Sequence, residues 1–396
     1  MKTVAVLGGG PAGALAAERL AAAGMKTLLF DEKLAWEKPC GGGLTFKAYR
    51  EYPFLIDNLT PKKLIRQTSI AAPNAGGVTM TLDHPLVIYS RFDLNRTLLE
   101  RAERAGAAIE KTRVLGMERR NNGWRIRTQA GIAEADFCIV ATGARNPLRE
   151  AGTEWSRGDT MTALGYYIPG DRDQIDLQFL EGLAGYIWVF PRAGHLSVGI
   201  CGKGEPAQSL RARLERYLNE RGMAWKGAAF YSHVLPSLES AGWKKNRVAG
   251  EGWMAVGDAA GLVDPVTGEG LYYAMRSGDL AARAILSDAA PGVAEKAAAY
   301  RLAIAREFTA DLAYAATLAR RVFLGRVLGG PVPARMVQFT RRSPRFRATM
   351  QDLFAGTQPY LELRARVLGN LAGTIREVLQ NYFLGRTCAD TPQLTS

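Results

Sequence analysis

A glycine-rich turn close to the start of the sequence has the composition of a phosphate-binding site. It fits the pattern GxGxxG and comprises Gly8, Gly10, Pro11, Ala12 and Gly13. In such a turn the first glycine allows a tight bend, the second lets a pyrophosphate approach the backbone, and the third brings the following helix against the strand. Asp31, or Glu32 beside it, ends the next predicted strand and can accept from a ribose hydroxyl. The turn predicts dinucleotide binding with an unphosphorylated ribose, as in FAD or NAD; the alternative is a purely structural turn.

A second glycine-rich element, at residues 257–270, favours FAD over NAD. It follows a predicted strand at 253–256 and precedes a predicted helix. Asp258 can accept hydrogen bonds from a ribityl chain, and the helix N-terminus can stabilise a ring that becomes anionic on reduction. The residues predicted to contact the cofactor here are Gly257, Asp258, Gly268 and Gly270. An ordinary strand–turn–helix is the alternative.

These motifs together resemble the FAD-dependent oxidoreductases built like para-hydroxybenzoate hydroxylase. Two further segments are similar to motifs of the geranylgeranyl reductase family: residues 38–42 (KPCGG) to its KxCGG loop, and residues 186–191 (YIWVFP) to its YxWxFP strand. Arg91 opens a segment that resembles the group's helix entrance, whose arginine lies near the cofactor. The resemblance covers roughly residues 1–285. It implies a flavoprotein that reduces double bonds of an isoprenoid lipid.

One departure from the wider group concerns the electron donor. Hydroxylases of this group carry an Asp-Gly pair after the strand that is predicted here at 137–141, whereas this sequence has Thr142-Gly143. The substitution argues against hydroxylase-style NADPH handling, and the GxWxWxIP motif of flavin halogenases is also missing. NAD(P)H and a ferredoxin-type carrier both remain as candidate donors.

The loop and the aromatic strand supply the candidate catalytic and substrate-binding residues. The predicted catalytic positions are Cys40, Gly41 and Gly42. Glycines let the backbone lie against a planar ring, and the Cys40 thiol could protonate substrate; the alternative is a small packing residue. Alternation along the strand puts three aromatic residues on one face, namely Tyr186, Trp188 and Phe190. They predict the lining of an apolar pocket, or else an aromatic sheet core.

The elements that must position these residues follow from hydrophobic periodicity. A strand–helix–strand unit is predicted at 3–7, 12–23 and 26–31, a helix at 93–105, strands across 112–140 and 165–202, and mostly helices after 270. His84-Pro85 is predicted to lie in a connection between short strands, and His195 in a solvent-exposed turn. The fold class is α/β: a Rossmann-type FAD-binding domain interleaved with an antiparallel-sheet substrate domain, plus a helical C-terminal region.

The predicted domains are each assembled from separated segments. The FAD-binding domain takes residues 1–45, 86–160 and 245–300, the substrate domain 46–85 and 161–244, and the helical region 301–396. Chemistry is expected where the first two meet.

The composition and the net charge of the sequence indicate which classes of binding partner to expect. The 396 residues include 51 Lys and Arg against 38 Asp and Glu, a net charge of +13. Eight arginines and no acid lie between Asp311 and Asp352, interleaved with apolar residues: Arg320, Arg321, Arg326, Arg335, Arg341, Arg342, Arg345 and Arg347. They predict a peripheral contact with a membrane surface or a prenyl phosphate. A solvated basic face is the alternative, and nucleic acid is disfavoured because no recognition motif accompanies the charge.

The cysteine content and the hydropathy of the sequence indicate the cellular location of the protein. Four scattered cysteines, Cys40, Cys138, Cys201 and Cys388, form no CxxC pair, so we expect neither a metal site nor a disulfide framework. No stretch is long and apolar enough to span a bilayer, and no signal peptide is recognisable. We therefore expect a cytoplasmic protein, peripheral at the membrane.

The function predicted from these observations is an FAD-dependent reductase that saturates double bonds of a geranylgeranyl-type lipid by hydride transfer. Two alternatives stay open. One is a flavin monooxygenase of an aromatic or polyketide substrate. The other is an electron-transfer flavoprotein acting on a quinone, which the lack of cluster-type cysteine spacing disfavours.

Overall fold

The structure is a computed structural model that describes residues 2–120, 123–148, 150–384 and 387. The chain divides into two compact units. Unit 1 contains the described residues of 1–38, 90–161 and 234–316, and unit 2 those of 39–89, 162–233 and 317–396. Each unit is therefore assembled from segments that are distant in the sequence.

The helices and strands are numbered in chain order. The strands are β1 (Thr3–Leu7), β2 (Lys26–Asp31), β3 (Gly43–Leu44), β4 (Lys62–Ala72), β5 (Gly76–Tyr89), β6 (Ala108–Lys111), β7 (Val114–Arg120), β8 (Gly123–Thr128), β9 (Ile132–Ala135), β10 (Phe137–Val140), β11 (Thr160–Pro169), β12 (Gln174–Phe179), β13 (Gly185–Arg192), β14 (His195–Gly202), β15 (Ala229–Pro236), β16 (Ala249–Gly250), β17 (Trp253–Ala255), β18 (Arg326–Val327) and β19 (Gly330–Pro331). The helices are α1 (Pro11–Ala22), α2 (Phe46–Glu51), α3 (Arg91–Arg104), α4 (Ala207–Glu220), α5 (Ser240–Lys245), α6 (Leu271–Leu286), α7 (Val293–Ile304), α8 (Ala310–Leu324), α9 (Val332–Arg342), α10 (Pro344–Ala355) and α11 (Tyr360–Phe383). A π-helical turn, Ala305–Thr309, joins α7 to α8.

Unit 1 is built on a six-stranded sheet with the order β16-β17-β10-β1-β2-β6. All neighbours pair in parallel except β16 and β17. Strands β1 and β10 are almost continuously apolar because strands of a parallel sheet are buried on both faces. Helix α1 is rich in alanine and packs between α3 and α6, where small side chains allow close approach. The predicted βαβ unit and the Rossmann-type part of the fold are confirmed, as is the strand meander, which forms the separate sheet β7-β8-β9.

Unit 2 is built on an eight-stranded sheet with the order β15-β11-β14-β13-β12-β4-β5-β3. Strands β4 and β12 pair in parallel, while the pairings within β11–β14–β13–β12 and within β4–β5–β3 are antiparallel. Helix α4 covers one apolar cluster, formed with β11, β13 and β14. Helices α8, α9 and α10 contribute to a second cluster with β4, β5 and β12. The antiparallel-sheet part of the predicted fold class and its helical C-terminal region are confirmed.

The unit boundaries differ from the predicted domain ranges at several places. Residues 86–89, predicted in the FAD-binding domain, belong to unit 2, while residues 234–244, predicted in the substrate domain, and 301–316, predicted in the helical region, belong to unit 1. Two further differences have a clear structural cause. Residues 39–45, predicted within the FAD-binding domain, belong to unit 2 because β3 pairs with β5. The C-terminal helices do not form a region of their own: the chain from 317 onward belongs to unit 2, since α9 packs on β4 and β5 and α10 packs on β5.

His84 and Pro85 lie within strand β5 and not in a connection, so that prediction is wrong. The hairpin β4–β5 is longer than the turn-like sequence indicated, and its register shifts between Ile65 and Gln67, opposite this stretch. A proline cannot donate to a ladder, so an irregularity is where a strand tolerates it. Arg66 donates to the carbonyls of Leu82 and Asp83 at the same place, which keeps the strand continuous.

No helix in the described part of the chain combines the length and the hydropathy that crossing a bilayer requires.

Candidate functional site

The glycine-rich turn of unit 1 has the shape of a phosphate cradle. At Gly8 (φ 118°) a Cβ would lie 2.3 Å from the Ala141 carbonyl oxygen, and at Gly13 it would lie 2.0 Å from the Gly8 carbonyl oxygen. At Gly10 a Cβ would meet nothing within 4 Å. The first and third glycines are thus required by the fold, whereas the second leaves open space in front of the backbone. Gly10 caps α1 without a side-chain hydrogen bond, and Pro11 follows at the first helical position, so the free N–H groups of the first turn can receive a pyrophosphate.

Asp31 has a second role that the sequence did not indicate. Its carboxylate accepts from the backbone N–H groups of Gly9 (2.7 Å), Lys33 (2.8 Å) and Leu34 (2.6 Å). It therefore ties the phosphate turn to the end of β2, while its oxygens retain lone pairs for a ribose hydroxyl. Glu32, the alternative acid, is half-exposed and lies 3.8 Å from the Arg113 guanidinium.

Arg91 lies at the first position of α3 and is buried. Its Nη2 donates to Asn95 Oδ1 at 3.1 Å, and its Nε is buried without a hydrogen-bond partner among the described residues. An orphaned buried donor on a guanidinium fits an acceptor supplied by a bound cofactor. Glu37, which the sequence did not single out, accepts from the backbone N–H groups of Arg91 and Phe92 and so fixes the start of this helix.

The second glycine-rich element contacts the lysine of the KPCGG motif. Lys38 Nζ lies 3.2 Å from Asp258 Oδ2, so two motifs 220 residues apart meet within unit 1. Gly257 has φ 58°, and its N–H donates to Ser277 Oγ at 2.9 Å. Asp258 is thereby held at the end of β17, where it was expected to accept from a ribityl chain.

The remaining residues of this element lead into α6. Gly268 has φ 71°, and Gly270 is the residue immediately before the helix. Glu269 Oε1 accepts from the Tyr272 N–H at 2.7 Å. The Glu269 carboxylate therefore already accepts from one of the first-turn N–H groups that were predicted to face the flavin ring.

The Cys40 loop of unit 2 is anchored through its carbonyl groups. The Cys40 carbonyl accepts from Arg192 Nη2 and from Ser197 Oγ (2.9 Å), and the Gly41 carbonyl accepts from Arg192 Nε (3.3 Å). The Gly42 N–H donates to Cys40 Sγ at 3.3 Å. The thiol is thus held on a backbone with little freedom.

The glycines of this loop are required for packing against the protein itself. Gly42 has φ 85°, and a Cβ there would lie 2.1 Å from the Tyr89 carbonyl oxygen. A Cβ at Gly41 or Gly43 would meet the ring of Phe190, at 3.3 and 2.9 Å respectively. From the sequence, the need for glycine here was attributed to a cofactor ring lying against the backbone. The contacts with Tyr89 and Phe190 already explain that need.

Three polar residues beneath the loop were missed by sequence reasoning. Arg192 is fully buried and lies over the Tyr167 ring, 5.2 Å from its centroid. Ser197 Oγ and Tyr231 Oη lie 2.9 Å apart, and burial raises the pKa of Tyr231 above its usual range. Arg192 directly follows the YxWxFP segment, which is the one local signal that could have drawn attention to it. The place of Ser197 depends on its register opposite Phe190 in the β13–β14 pair.

The alternation along the YxWxFP strand is confirmed. Ile187 and Val189 face the cluster under α4, whereas Tyr186 and Phe190 pack with other clusters of the sheet. The Tyr186 ring stacks on that of Phe323, with centroids 6.4 Å apart. These contacts favour the aromatic-core alternative for Tyr186.

Trp188 is buried against a neighbouring strand. A Cβ at Gly199 would lie 2.3 Å from the Trp188 ring, so the glycine is what admits the indole. His195, expected in an exposed turn, is the first residue of β14 and is half-buried, because the strand begins at it.

Among the described cysteines, Cys40 is the one that is not fully buried. Burial raises the pKa of Cys138 above its usual range and that of Cys201 to about 12, so both remain protonated. Cys40 is half-buried, and Cys388 lies outside the described residues. Within the described residues no group of three or more His, Cys, Asp or Glu side chains could hold a metal ion. Thr142, at the position of the missing acid, donates to Asn146 Oδ1 at 2.9 Å.

Comparison with known proteins gives relatives that cover most of the chain. Residues 2–154 match the family described as pyridine nucleotide-disulphide oxidoreductase. A chloroplastic geranylgeranyl diphosphate reductase of Oryza sativa is 31% identical over 73% of this chain and 67% of its own length. The geranylgeranyl diphosphate reductase of Synechocystis sp. is 30% identical over 72% and 75%. A menaquinone reductase of Mycobacterium tuberculosis is 30% identical over 70% and 75%.

Solved structures share the fold over nearly the whole chain. A geranylgeranyl bacteriochlorophyll reductase-like protein of Thermoplasma acidophilum superposes with a TM-score of 0.76 at 24% identity, covering 96% of this chain and 98% of that one. A flavin-dependent brominase superposes with a TM-score of 0.65 at 18% identity, covering 90% and 93%. At these identities the likeness establishes the fold.

Proposed function

Because the chain belongs to the geranylgeranyl reductase family of FAD-dependent oxidoreductases, we propose that it reduces carbon–carbon double bonds in the prenyl chain of an isoprenoid lipid. The relatives are named for geranylgeranyl diphosphate and for menaquinone. These two compounds differ in their polar ends and share a polyprenyl chain. The structural observation that carries the proposal is the anchored Cys40 loop, in which hydrogen bonds to the backbone fix a half-buried cysteine.

Unit 1 contains the residues that would hold FAD. The turn at 8–13 would take the pyrophosphate, Asp31 the ribose, Asp258 the ribityl chain, and Arg91 Nε a cofactor oxygen. When bound and reduced, FAD supplies a hydride to one carbon of the double bond. NAD(P)H and a ferredoxin-type carrier are the two candidate donors for its reduction.

The protein has to supply the proton for the other carbon. We assign this step to Cys40: its S–H bond breaks, the proton adds to the carbon, and the thiolate is reprotonated by water. The hydride and the proton together add two hydrogen atoms across the bond, so electrons and atoms balance. Arg192 and Ser197 are positioning residues for this step, because both donate to the Cys40 carbonyl.

Anaerobic reduction of the holoenzyme followed by mass spectrometry of the substrate tests the proposal. With geranylgeranyl diphosphate or menaquinone we expect the mass of two hydrogen atoms to be added per reduced bond, within the prenyl chain. Formation of a quinol with an unchanged chain would support quinone reduction instead. Oxygen-dependent NADPH consumption stimulated by an aromatic compound would support the monooxygenase alternative.

Two cysteine variants separate the thiol's role from the general proposal. Cys40→Ala should slow double-bond reduction, whereas Cys138→Ala, which removes a buried thiol from unit 1, should leave it near the wild-type rate. Equal rates for both variants would remove Cys40 as the proton donor and leave the reductase assignment intact. An unchanged substrate mass in wild-type enzyme would overturn the assignment itself.

A further inference from the structure

The C-terminal helix α11 has an unusual outer face. Leu361, Leu368, Leu379 and Phe383 are exposed, with 51–80% of each residue accessible to solvent. Exposed Ala365 and Ala372 fall between them. The spacing of three, four or seven residues places the set on one side of the helix, so the exposed side carries an apolar stripe.

The opposite face of α11 is also apolar, and it is packed. Val367, Leu371 and Thr374 line a common cleft with Phe339 of α9 and Phe346 of α10. A surface helix that is buried on one side ordinarily presents polar residues on the other. The exposed leucines are therefore not needed to hold α11 in the fold, and a contiguous exposed apolar surface of this kind is typical of an interaction site.

The charge around this helix is strongly positive. Residues 317–384 contain eleven arginines, no lysine and three acids, which gives a net charge of +8. Two of the acids are paired with arginines: Asp352 with Arg366 at 2.6 Å and Glu377 with Arg345 at 2.8 Å. On α11 itself Arg364 and Arg376 are exposed, close in sequence to the leucines.

Part of the predicted arginine block has a structural role. Arg341 donates to the carbonyls of Ala75 and Gly77, and Arg347 donates to that of Thr79. These bonds fasten α9 and α10 to the β4–β5 hairpin. The arginines exposed for a partner are instead Arg320, Arg321 and Arg326, together with Arg364 and Arg376, whereas Arg345 is exposed but paired with Glu377.

We infer that α11 docks the protein onto an anionic lipid surface, with its leucine stripe in the boundary between headgroups and acyl chains. An amphipathic element of this kind gains from buried apolar area and from attraction of arginine to anionic headgroups. A second copy of the chain is the other candidate for covering the stripe. Contact through the same face would bring together two segments of charge +8, which repel each other. The charge therefore favours the lipid surface.

Co-sedimentation of the FAD-loaded protein with vesicles tests this inference without any substrate, so its outcome is independent of the proposed reaction. We expect binding to vesicles of equal parts phosphatidylglycerol and phosphatidylcholine, and little binding to phosphatidylcholine alone. The triple variant L361Q/L368Q/L379Q should lower the partition coefficient about a hundredfold, since three half-exposed leucines lose their contact with lipid. Leu59→Gln, which changes a fully exposed leucine outside this segment, is the matched control and should bind as wild type.

A double variant and a folding measurement complete the test. R364Q/R376Q should weaken binding to the anionic vesicles while the flavin absorbance and the melting temperature stay unchanged. Absence of wild-type binding, or equal binding by the triple variant, would overturn the inference. A dimer in solution that the triple variant converts to monomer would also overturn it, and would assign the stripe to a second copy.

Discussion

Replacement of Gly42 by alanine is the sharpest test of the anchored Cys40 loop. The backbone at Gly42 has φ 85°, where an L-residue costs roughly 1–2 kcal/mol. The added methyl would lie 2.1 Å from the Tyr89 carbonyl oxygen, so the two must separate by about 1 Å to reach a normal contact. The Tyr89 N–H donates to the Gly42 carbonyl at 3.0 Å and its hydroxyl donates to Leu55 at 2.7 Å, so Tyr89 is held and the loop has to move.

The expected result is a slower reaction without loss of the fold. A displacement of about 1 Å at a reacting group can cost about a hundredfold in rate. We therefore expect Gly42→Ala to slow single-turnover oxidation of the reduced holoenzyme by geranylgeranyl diphosphate about a hundredfold. Gly194→Ala is the matched control, because Gly194 has φ 86° and a Cβ there meets nothing within 4 Å. Both variants bear the same backbone strain, but only Gly42→Ala carries the clash, so it should lose more melting temperature than Gly194→Ala.

A readout that needs no substrate accompanies this experiment. The rate at which iodoacetamide alkylates Cys40 should change in Gly42→Ala and stay at the wild-type value in Gly194→Ala. If the two variants agree within about twofold in both the reduction rate and the alkylation rate, the loop is not held as the contacts indicate.

Three further predictions address the cofactor turn, the arginine anchor and the buried tyrosine. Gly10→Ala adds a methyl that meets no protein atom within 4 Å, so the apoprotein should keep its melting temperature, while the Kd for FAD, measured by titration, should rise at least about tenfold. Unchanged FAD affinity would argue against a phosphate-binding role for this turn. Arg192→Lys keeps the charge but loses the contact with both the Cys40 and the Gly41 carbonyl, so single-turnover reduction should slow about ten- to a hundredfold, and Arg192→Met should slow it more. FAD content and melting temperature are the controls. A lysine variant as slow as the methionine variant would contradict a positioning role. Burial raises the pKa of Tyr231, so its contribution to stability is fully present below the unfolded pKa of about 10 and is lost as pH rises beyond that. Urea unfolding between pH 9 and pH 11 should therefore show a free energy of unfolding that falls less steeply with pH in Tyr231→Phe, by up to about 1.4 kcal/mol per pH unit. Parallel curves for the two proteins would refute this.

Much of unit 1 could be predicted from the sequence because its signals are local. The β1–α1–β2 unit begins and ends within a residue or so of its predicted bounds, since a buried parallel strand, a glycine turn and an alanine-rich helix each have their own composition. The roles of Gly8 and Gly13 followed from the motif alone, because only glycine fits where a Cβ would strike the backbone.

The domain boundaries could not be predicted in the same way. Residues 39–45 and the C-terminal helices join unit 2 through pairing with β5 and packing on the β4–β5 hairpin. Those partners are distant in the sequence, and nothing in the helices' own composition names the sheet they cover. The same limit applied to the arginine block, where the count was visible but the bonds of Arg341 and Arg347 to strand carbonyls were not.

The family and the alternation along residues 186–190 could be predicted from the sequence, which also indicated the candidate cofactor turn, Asp31 and Cys40. Each of these depends on residue type and on spacing within a short segment. Only the tertiary structure decided what holds the thiol in place, because Arg192 and Ser197 reach the Cys40 carbonyl across 152 and 157 residues of chain. Such contacts depend on strand order and register, which are set by the packing of the whole sheet and leave no local pattern.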